Sequence, residues 1–514
     1  MIEIMKKIFK PIILLSMLFL WSCGKEYLST TPTSSTSGGT IFETTANAKL
    51  AVNGLSKLMT RQYISRQGFN GEGTIKLYYG EYPGQNFTVN LPGWVNVIGG
   101  NNHDDNNSTY TQYPWYYYYM IIGNANSIIA GIDDAEGPDH EKEYIKAQAL
   151  TYRAYCYLML MQLYSYRWTD TQNGETFGVV LRLEPTDEDL PVSPAKTVYS
   201  QIYKDLDDAI SLYSSSGLDR DSNYNFEVNI DVAYAVYART AITIADYSKA
   251  LEMAKKARQK YPMMSVAEYK AGFSVPNKEW IWSVYGASDE TLYYYHYFAY
   301  IGYNSNASAV RTYPKRITMS LYNKIPDTDI RKDMFLDPKD MSWNKNTGLG
   351  GSALKKHAFQ LYPDLYATAN AHAYMNFKFK CIDYPGVGHI NNFRSSEMLL
   401  IEAEANYFLS NVSAAQKCLE ALTKDTGRDP NYSCTKTGQD LLEEIKMYRG
   451  IELWGEGFDW FDKKRWGDTL IKRNYENGDS FHNDLTGIIG PEDKNKWTWV
   501  VPRLESDYNK EISF

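Results

Sequence analysis

The chain has 514 residues, a formal net charge of −8 and 15% aromatic residues, with 44 Tyr against 19 Phe. That length exceeds the ~250–300 residues at which one hydrophobic core stops growing, and an acidic chain with no basic block excludes a nucleic-acid interface and adsorption to anionic lipid. Five cysteines without a C-x-x-C pair exclude a zinc knuckle.

At the N-terminus Lys6, Lys7 and Lys10 precede an apolar run from Pro11 to Trp21. About a dozen residues suit a signal-peptide core and fall short of the ~20 a transmembrane helix needs. The run closes Leu20-Trp21-Ser22-Cys23-Gly24, which resembles a lipobox, with Trp21 where a small residue is usual. Residues 1–22 therefore read as a lipoprotein signal peptide, Cys23 as the lipid attachment point, and 23–40 as a flexible tether rich in Ser, Thr and Gly. Loss of residues 1–22 removes three lysines and one glutamate and leaves a charge of −10. Several acyl chains on one residue anchor a protein without a membrane-spanning helix.

Helical periodicity dominates 41–262. Helices are predicted at Ala46–Arg61, Trp115–Ile132, Glu141–Tyr166 and Thr197–Tyr213, with a breaker-rich connection at Pro185–Pro194. A helical hairpin spans Val232–Tyr261, broken at Ala245-Asp246-Tyr247. Its second arm, with Ala250, Ala254 and Ala257 before Pro262, is similar to the second helix of a tetratricopeptide repeat, where small residues let antiparallel helices approach closely. The same plan recurs at Ser396–Leu422 with a turn at Leu409–Val412, inside a C-terminal helical part, 393–514. Between them, 263–392 is expected to be a loop-rich insert with short strands such as Glu279–Tyr285. The fold class expected is mainly all-α: tetratricopeptide-like helix pairs supporting an irregular half.

Five runs of residues then carry a resemblance to the SusD/RagB family of nutrient-binding lipoproteins. Trp115, Tyr119, Ile122, Asn124, Asn126, Ile128 and Ile129 look like one of its helix motifs, and Lys146–Tyr157, with Arg153 and Ala154, like a second, Gln148 standing where Glu is usual. Val198–Ala209 matches a third, through Asp205 and Leu206. Arg449, Glu452, Leu453, Glu456, Gly457, Asp462, Arg465 and Trp466 fit a fourth, in which Tyr448 replaces Glu and Asp459 replaces Arg. Val501, Pro502, Glu505 and Asn509 resemble the closing motif, with Lys510 in place of Pro. The two departures at 448 and 459 predict a weakened structural ion-pair network. The resemblance implies a lipid-anchored domain at 41–514, surface-exposed on the outer membrane, seated over a SusC-like TonB-dependent porin. A glycan is the implied ligand; a peptide or other nutrient, as in the RagB branch, or a non-binding lid or scaffold of the porin, are the alternatives.

Catalysis finds no support in the residues. There is no G-x-S-x-G, H-E-x-x-H, Walker loop or strand-borne G-x-G-x-x-G, and the adjacent pairs Asp133/Asp134 and Asp207/Asp208 lie on helix surfaces, facing different ways. Asp219, Asp221, Asn223, Asn225 and Glu227 alternate like a structural calcium loop, but Tyr224 stands where Gly is needed and Ile230 where a bidentate Glu belongs. A polar loop before the Asp231 helix is the expectation, and no cofactor is implied. Cys156, Cys381, Cys418 and Cys434 read as thiols, with a Cys418–Cys434 pair as the alternative.

Sugar binding needs flat aromatic faces flanked by amides and carboxylates. Two segments offer them. One, at 78–113, supplies Tyr78, Tyr79, Tyr82 and Trp94 with Asn96 and Asn101; the other, at 288–306, supplies Tyr293, Tyr294, Tyr295 and Tyr303. The family resemblance implies ligand binding in the corresponding loops. Trp94, isolated between Gly93 and Val95, is the leading candidate, and half of the tyrosines are expected to pack internally.

Overall fold

The computed structural model describes residues 41–61, 69–90, 103–287 and 296–512. The leader, Cys23 and the tether lie outside them. Helix dominates, with a few short antiparallel strand pairs, so the chain is mainly α as expected. Helix α1 (Thr45–Leu58) starts where Thr44 Oγ1 accepts the Asn47 N–H, and Ala48, Val52 and Leu55 turn one face inward. α2 (Thr109–Gly131) begins at a Ser108 cap, a turn and a half before the Trp115 start that periodicity suggested. Pro114 inside it cannot donate to Tyr110 O, which takes the Tyr79 hydroxyl at 2.6 Å instead. One residue on, the Tyr164 hydroxyl inserts into the helix, donating to Thr111 O at 2.6 Å and accepting the Trp115 N–H at 3.0 Å. α3 (Asp139–Tyr164) is buried on all sides over its second half. α4 (Ala195–Ser216) ends at Gly217, whose φ of 65° is the left-handed geometry that suits glycine after a helix.

Two hairpins follow one plan. α5 (Ile230–Thr243) and α6 (Tyr247–Arg258) turn through Ala245 at φ 59°, and Asp246 Oδ1 accepts the Lys249 N–H. α7 (Ser395–Phe408) and α8 (Val412–Thr423) turn through Ser410 at φ 62°. Ala250, Ala254 and Ala257 in the first, and Ala403, Ala405 and Ala415 in the second, are fully buried, so the helices approach with little between them. Although far apart in sequence, the hairpins meet: α6 packs on α7, and Tyr247 stacks on Phe408 at 4.2 Å. Two further helices, α9 (Gly438–Glu452) and α10 (Asp459–Trp466), follow in the C-terminal part, before a short last helix at Arg503–Tyr508.

Among the strands, β1 (Phe87–Thr88) pairs with β5 (Arg316–Ile317), β2 (Phe177–Val180) with β3 (Val192–Pro194), β4 (Trp280–Val284) with β6 (Ile390–Arg394), and β7 (Leu470–Lys472) with β8 (Gly487–Ile489). The strand expected near 279–285 is β4, buried along its whole length. Two expectations for loops fail. Residues Ile75–Glu81 form a π-helix continuing Gly71–Thr74, and Tyr297–Ile301 is a short helix, because Leu77, Tyr78, Tyr79, Tyr297 and Phe298 all turn into the core.

A buried ionic network ties the irregular half to the helices. Arg394, ending β6, reaches Glu279, Glu452 and Glu456, each at 2.8 Å. Arg331 joins Asp329 at 2.6 Å to Glu452 at 3.0 Å, Arg428 reaches Glu452 at 3.1 Å, and Lys378 reaches Glu456 at 2.6 Å. Burial raises the cost of charge on Glu452, yet the Arg428, Arg394 and Arg331 guanidiniums hold its carboxyl below the usual range.

Candidate functional site

Many of the polar residues that carry the family resemblance are buried as structural pairs. Arg153 on α3 donates to Asp205 on α4 at 2.7 and 2.8 Å and to Asn126 Oδ1 on α2 at 3.0 Å, so three separate motifs meet in one buried cluster. Gln148 donates to Val228 O at 2.9 Å. Asp462 pairs with Arg449 at 2.6 Å and with Arg465 at 2.9 Å, and Arg465 also holds Glu404 at 2.7 Å. The two departures in that motif have other work. Asp459 accepts the Gln85 and Asn86 N–H groups at 2.6 and 2.7 Å, and the Tyr448 ring lies 4.9 Å from the Arg331 guanidinium. These positions build a scaffold.

What the scaffold holds is a pair of loop bases. The segment 91–102 leaves from β1 and returns at His103, whose carbonyl accepts the Val500 N–H at 2.8 Å. The segment 288–295 leaves beyond β4 and returns at His296, whose Nδ1 lies 2.6 Å from Gly386 O. Burial pushes the His296 imidazole down to about 4, so the ring is neutral and Nδ1–H is the donor. Tyr78 joins the two bases: its ring lies 6.2 Å from Tyr110, after the first segment, and 6.2 Å from Tyr300, after the second.

Beside the second base, the turn 382–387 lies against the helix Tyr297–Ile301. A Cβ on Gly386 would come within 2.2 Å of Ala299 N, so only glycine allows this approach. The turn lifts Tyr384 into solvent, 46% exposed, edge-on to half-buried Tyr366 at 5.8 Å. Around that pair stand Arg311, which donates to Thr368 Oγ1 at 2.9 Å, and Asp364, held by Lys380 at 2.6 Å and by the Tyr303 hydroxyl at 2.8 Å. Two exposed or half-exposed rings within reach of a guanidinium, an ammonium and a carboxylate can stack on a sugar ring and bond its hydroxyls.

A family model matches residues 214–509, and a second, described as "Starch-binding associating with outer membrane", matches 62–242. The chain belongs to the SusD family. SusD-superfamily structures share its fold. It is similar, at 23% identity and a TM-score of 0.75, to a SusD-like carbohydrate binding protein from Bacteroides vulgatus, over 92% of this chain and 98% of that one. It is similar to a SusD superfamily protein from Bacteroides thetaiotaomicron at 20% identity and a TM-score of 0.70, covering 91% and 99%. A third such protein, from Bacteroides fragilis, gives 22% identity and 0.68, covering 92% and 100%. No curated protein sequence matches the chain.

Within this SusD-family chain the sequence-derived site residues divide into two groups. Trp94, Asn96, Asn101, Tyr293, Tyr294 and Tyr295 lie outside the described residues. Tyr78, Tyr79, Tyr82 and Tyr303 are buried, which corrects the expectation that they present ring faces to a ligand. Tyr78 stacks on Tyr82 at 5.6 Å, Tyr82 packs on Phe87 at 5.5 Å, and Tyr79 is spent on Tyr110 O. Tyr303 acts from beneath, through Asp364. Sequence reasoning missed Tyr384, Tyr366 and Arg311. The one local signal was Tyr384-Pro385-Gly386, a turn former next to an aromatic.

In the calcium-like loop, Asp219 accepts from Asn229 Nδ2 at 2.8 Å, and Lys260 lies 3.5 Å from Asp219 and 3.3 Å from Asp231. Among the described residues no group of three His, Cys, Asp or Glu side chains could hold a metal ion. Cys156, Cys381, Cys418 and Cys434 are free thiols.

Proposed function

We propose that this protein captures a glycan at the face formed by loops 91–102 and 288–295 and by the 382–387 turn, and delivers it to a SusC-like TonB-dependent porin. Binding without catalysis is the reading. The observation that carries it is the gathering of solvent-facing Tyr384 and its partner Tyr366 beside the base of a tyrosine-rich loop, on a SusD-family scaffold. The name of the similar Bacteroides vulgatus protein, a carbohydrate binding protein, supports the ligand class, and the wording of the matched family model supports the outer membrane. Lipid on Cys23 would supply the anchor; among the described residues no helix is long and apolar enough to cross a membrane.

Electrophoresis of the purified protein in native gels, each cast with one polysaccharide, tests the reading. Amylopectin, arabinoxylan, xyloglucan, galactomannan and homogalacturonan form a first panel. Retardation by one of them is expected, reduced in Trp94→Ala and in Tyr384→Ala. Mobility unchanged across the panel, with binding of peptides in its place, would move the protein to the peptide-binding branch.

A further inference from the structure

A second run of rings gathers around Tyr285, which precedes the segment 288–295 in the chain. Tyr224 and Phe226 are 5.3 Å apart between ring centroids, Phe226 and Tyr285 5.3 Å, and Tyr285 and His389 5.1 Å. Tyr224 is 47% and Tyr285 38% exposed, and Phe226 and His389 are half-buried. The run starts on the loop before α5, crosses the end of the β4–β6 pair and stops where the chain enters loop 288–295. Gly286 sits there against Gly388, where a Cβ would come within 2.0 Å of the carbonyl oxygen.

The loop that presents Tyr224 is held in place. Asn225 O accepts the Ser283 N–H at 2.9 Å, and Asn225 Oδ1 accepts the Ser283 hydroxyl at 2.7 Å. Phe226 O accepts from Trp282 Nε1 at 3.3 Å and from Ser56 Oγ at 3.4 Å. Tyr224 N–H donates to Asp221 O, and Tyr224 O accepts the Glu227 N–H, both at 2.9 Å. A loop pinned on both sides of Tyr224 leaves that ring about half in water, with only the part against Phe226 covered. Exposed Asp221 and Asn223 flank it with a carboxylate and an amide. The Tyr224 and Phe226 rings are tilted by 33°, and Phe226 meets Tyr285, and Tyr285 meets His389, edge-on at 70° and 89°, so the run is a stepped set of faces. Exposed aromatic faces flanked by hydroxyl-bonding groups are the chemistry of carbohydrate stacking.

We propose that Tyr224, Phe226 and Tyr285 form an accessory platform that takes the further units of an extended glycan whose first units occupy the face at loops 91–102, 288–295 and 382–387. The inference rests on the glycan-binding reading above and adds a requirement for chain length.

The polysaccharide that retards the protein is cut into size-graded oligosaccharides, and calorimetry measures their affinities for the wild type, Tyr224→Ala/Tyr285→Ala and Trp94→Ala. The double variant is expected to bind the polymer and the longest fragments about tenfold more weakly, and the shortest binding fragment within about twofold of wild type. Trp94→Ala is expected to weaken every length, and Tyr224→Phe/Tyr285→Phe, which keeps both rings, to retain binding. Wild-type affinity of the Ala variant for the polymer would overturn the platform and leave the main face standing. An equal loss at every length would also overturn it, since Tyr285 would then belong to the main face. A wild-type protein that binds none of the polysaccharides removes the reading beneath both. Unchanged glycan affinity with lost binding to the purified porin would reassign the rings to a protein contact and overturn the proposal.

Discussion

In the hairpins α5–α6 and α7–α8 the backbone satisfies itself along each helix, and the side chains between helices shrink to alanine. Across 263–392 the ladders are short, and long polar side chains reach in to meet the backbone. Lys315 donates to Ala309 O at 2.7 Å and Tyr313 O at 3.1 Å, and Lys378 to Glu452 O and Trp454 O at 2.8 and 2.9 Å. Asn304 closes a reciprocal pair with Cys381, donating to its carbonyl and accepting its N–H. A buried carbonyl must find a donor whatever its local fold. Within each hairpin, then, small side chains suffice at the helix contact, specific ion pairs such as Arg239–Glu397 joining one hairpin to the other, whereas the irregular half needs cations and amides at single positions to satisfy its backbone.

The largest test of that contrast falls on the network joining the halves. Arg394→Met leaves Glu279, Glu452 and Glu456 without their shared partner, and breaking a buried ionic cluster from one side costs about 3–5 kcal/mol. Urea unfolding followed by tryptophan fluorescence measures it. A loss below about 1 kcal/mol would mean that the irregular half does not lean on these charges.

Overpacking tests the other half. Ala254→Leu forces a larger side chain into the buried face of α6, which packs on α5 and α7, and is expected to cost about 1–3 kcal/mol, read as a lower Tm, with retardation by the glycan retained. An unchanged Tm would show that close helix approach is not what the alanines serve.

The smallest expected effect is local. Burial depresses His296 from 6.5 to about 4. Protonation therefore favours the open state: the stabilisation is complete above pH 6.5 and drains away as pH falls toward 4. Hydrogen exchange across 296–301 should rise over that window while α5–α6 stays protected, and His296→Gln should flatten the dependence. Parallel loosening of the hairpins would place the acid sensitivity elsewhere.

Legibility in the sequence follows the same divide. The hairpins could be read to within a few residues, turns included, because alanine periodicity and the Asp246 cap are local signals. The start of α2 was missed, since Tyr110 and Tyr113 continue a tyrosine run that carries no apolar period. Tyr78, Tyr79 and Tyr82 looked like ligand-facing rings because tyrosine tolerates water. Here many tyrosines bury their rings, and several give the hydroxyl to a carbonyl, as Tyr119 does to Val180 O at 2.5 Å and Tyr157 to Arg182 O at 2.6 Å. For the Tyr366–Tyr384 pair the sequence carries only the turn signal at Tyr384-Pro385-Gly386, and its meeting with Tyr366 was not legible, because it depends on a turn that Gly386 presses against a helix.

The cluster of Asn126, Arg153 and Asp205 has one further consequence. It fixes the mutual placement of α2, α3 and α4 without drawing on any residue of 91–102, 288–295 or 382–387. On the glycan-capture reading proposed above, what is captured and what holds these helices together are set at different positions, with Gly386 the exception, since its approach to Ala299 admits only glycine. Exchange of segments 91–102 and 288–295 between chains of this scaffold should then carry ligand preference with it while the helical placement is kept.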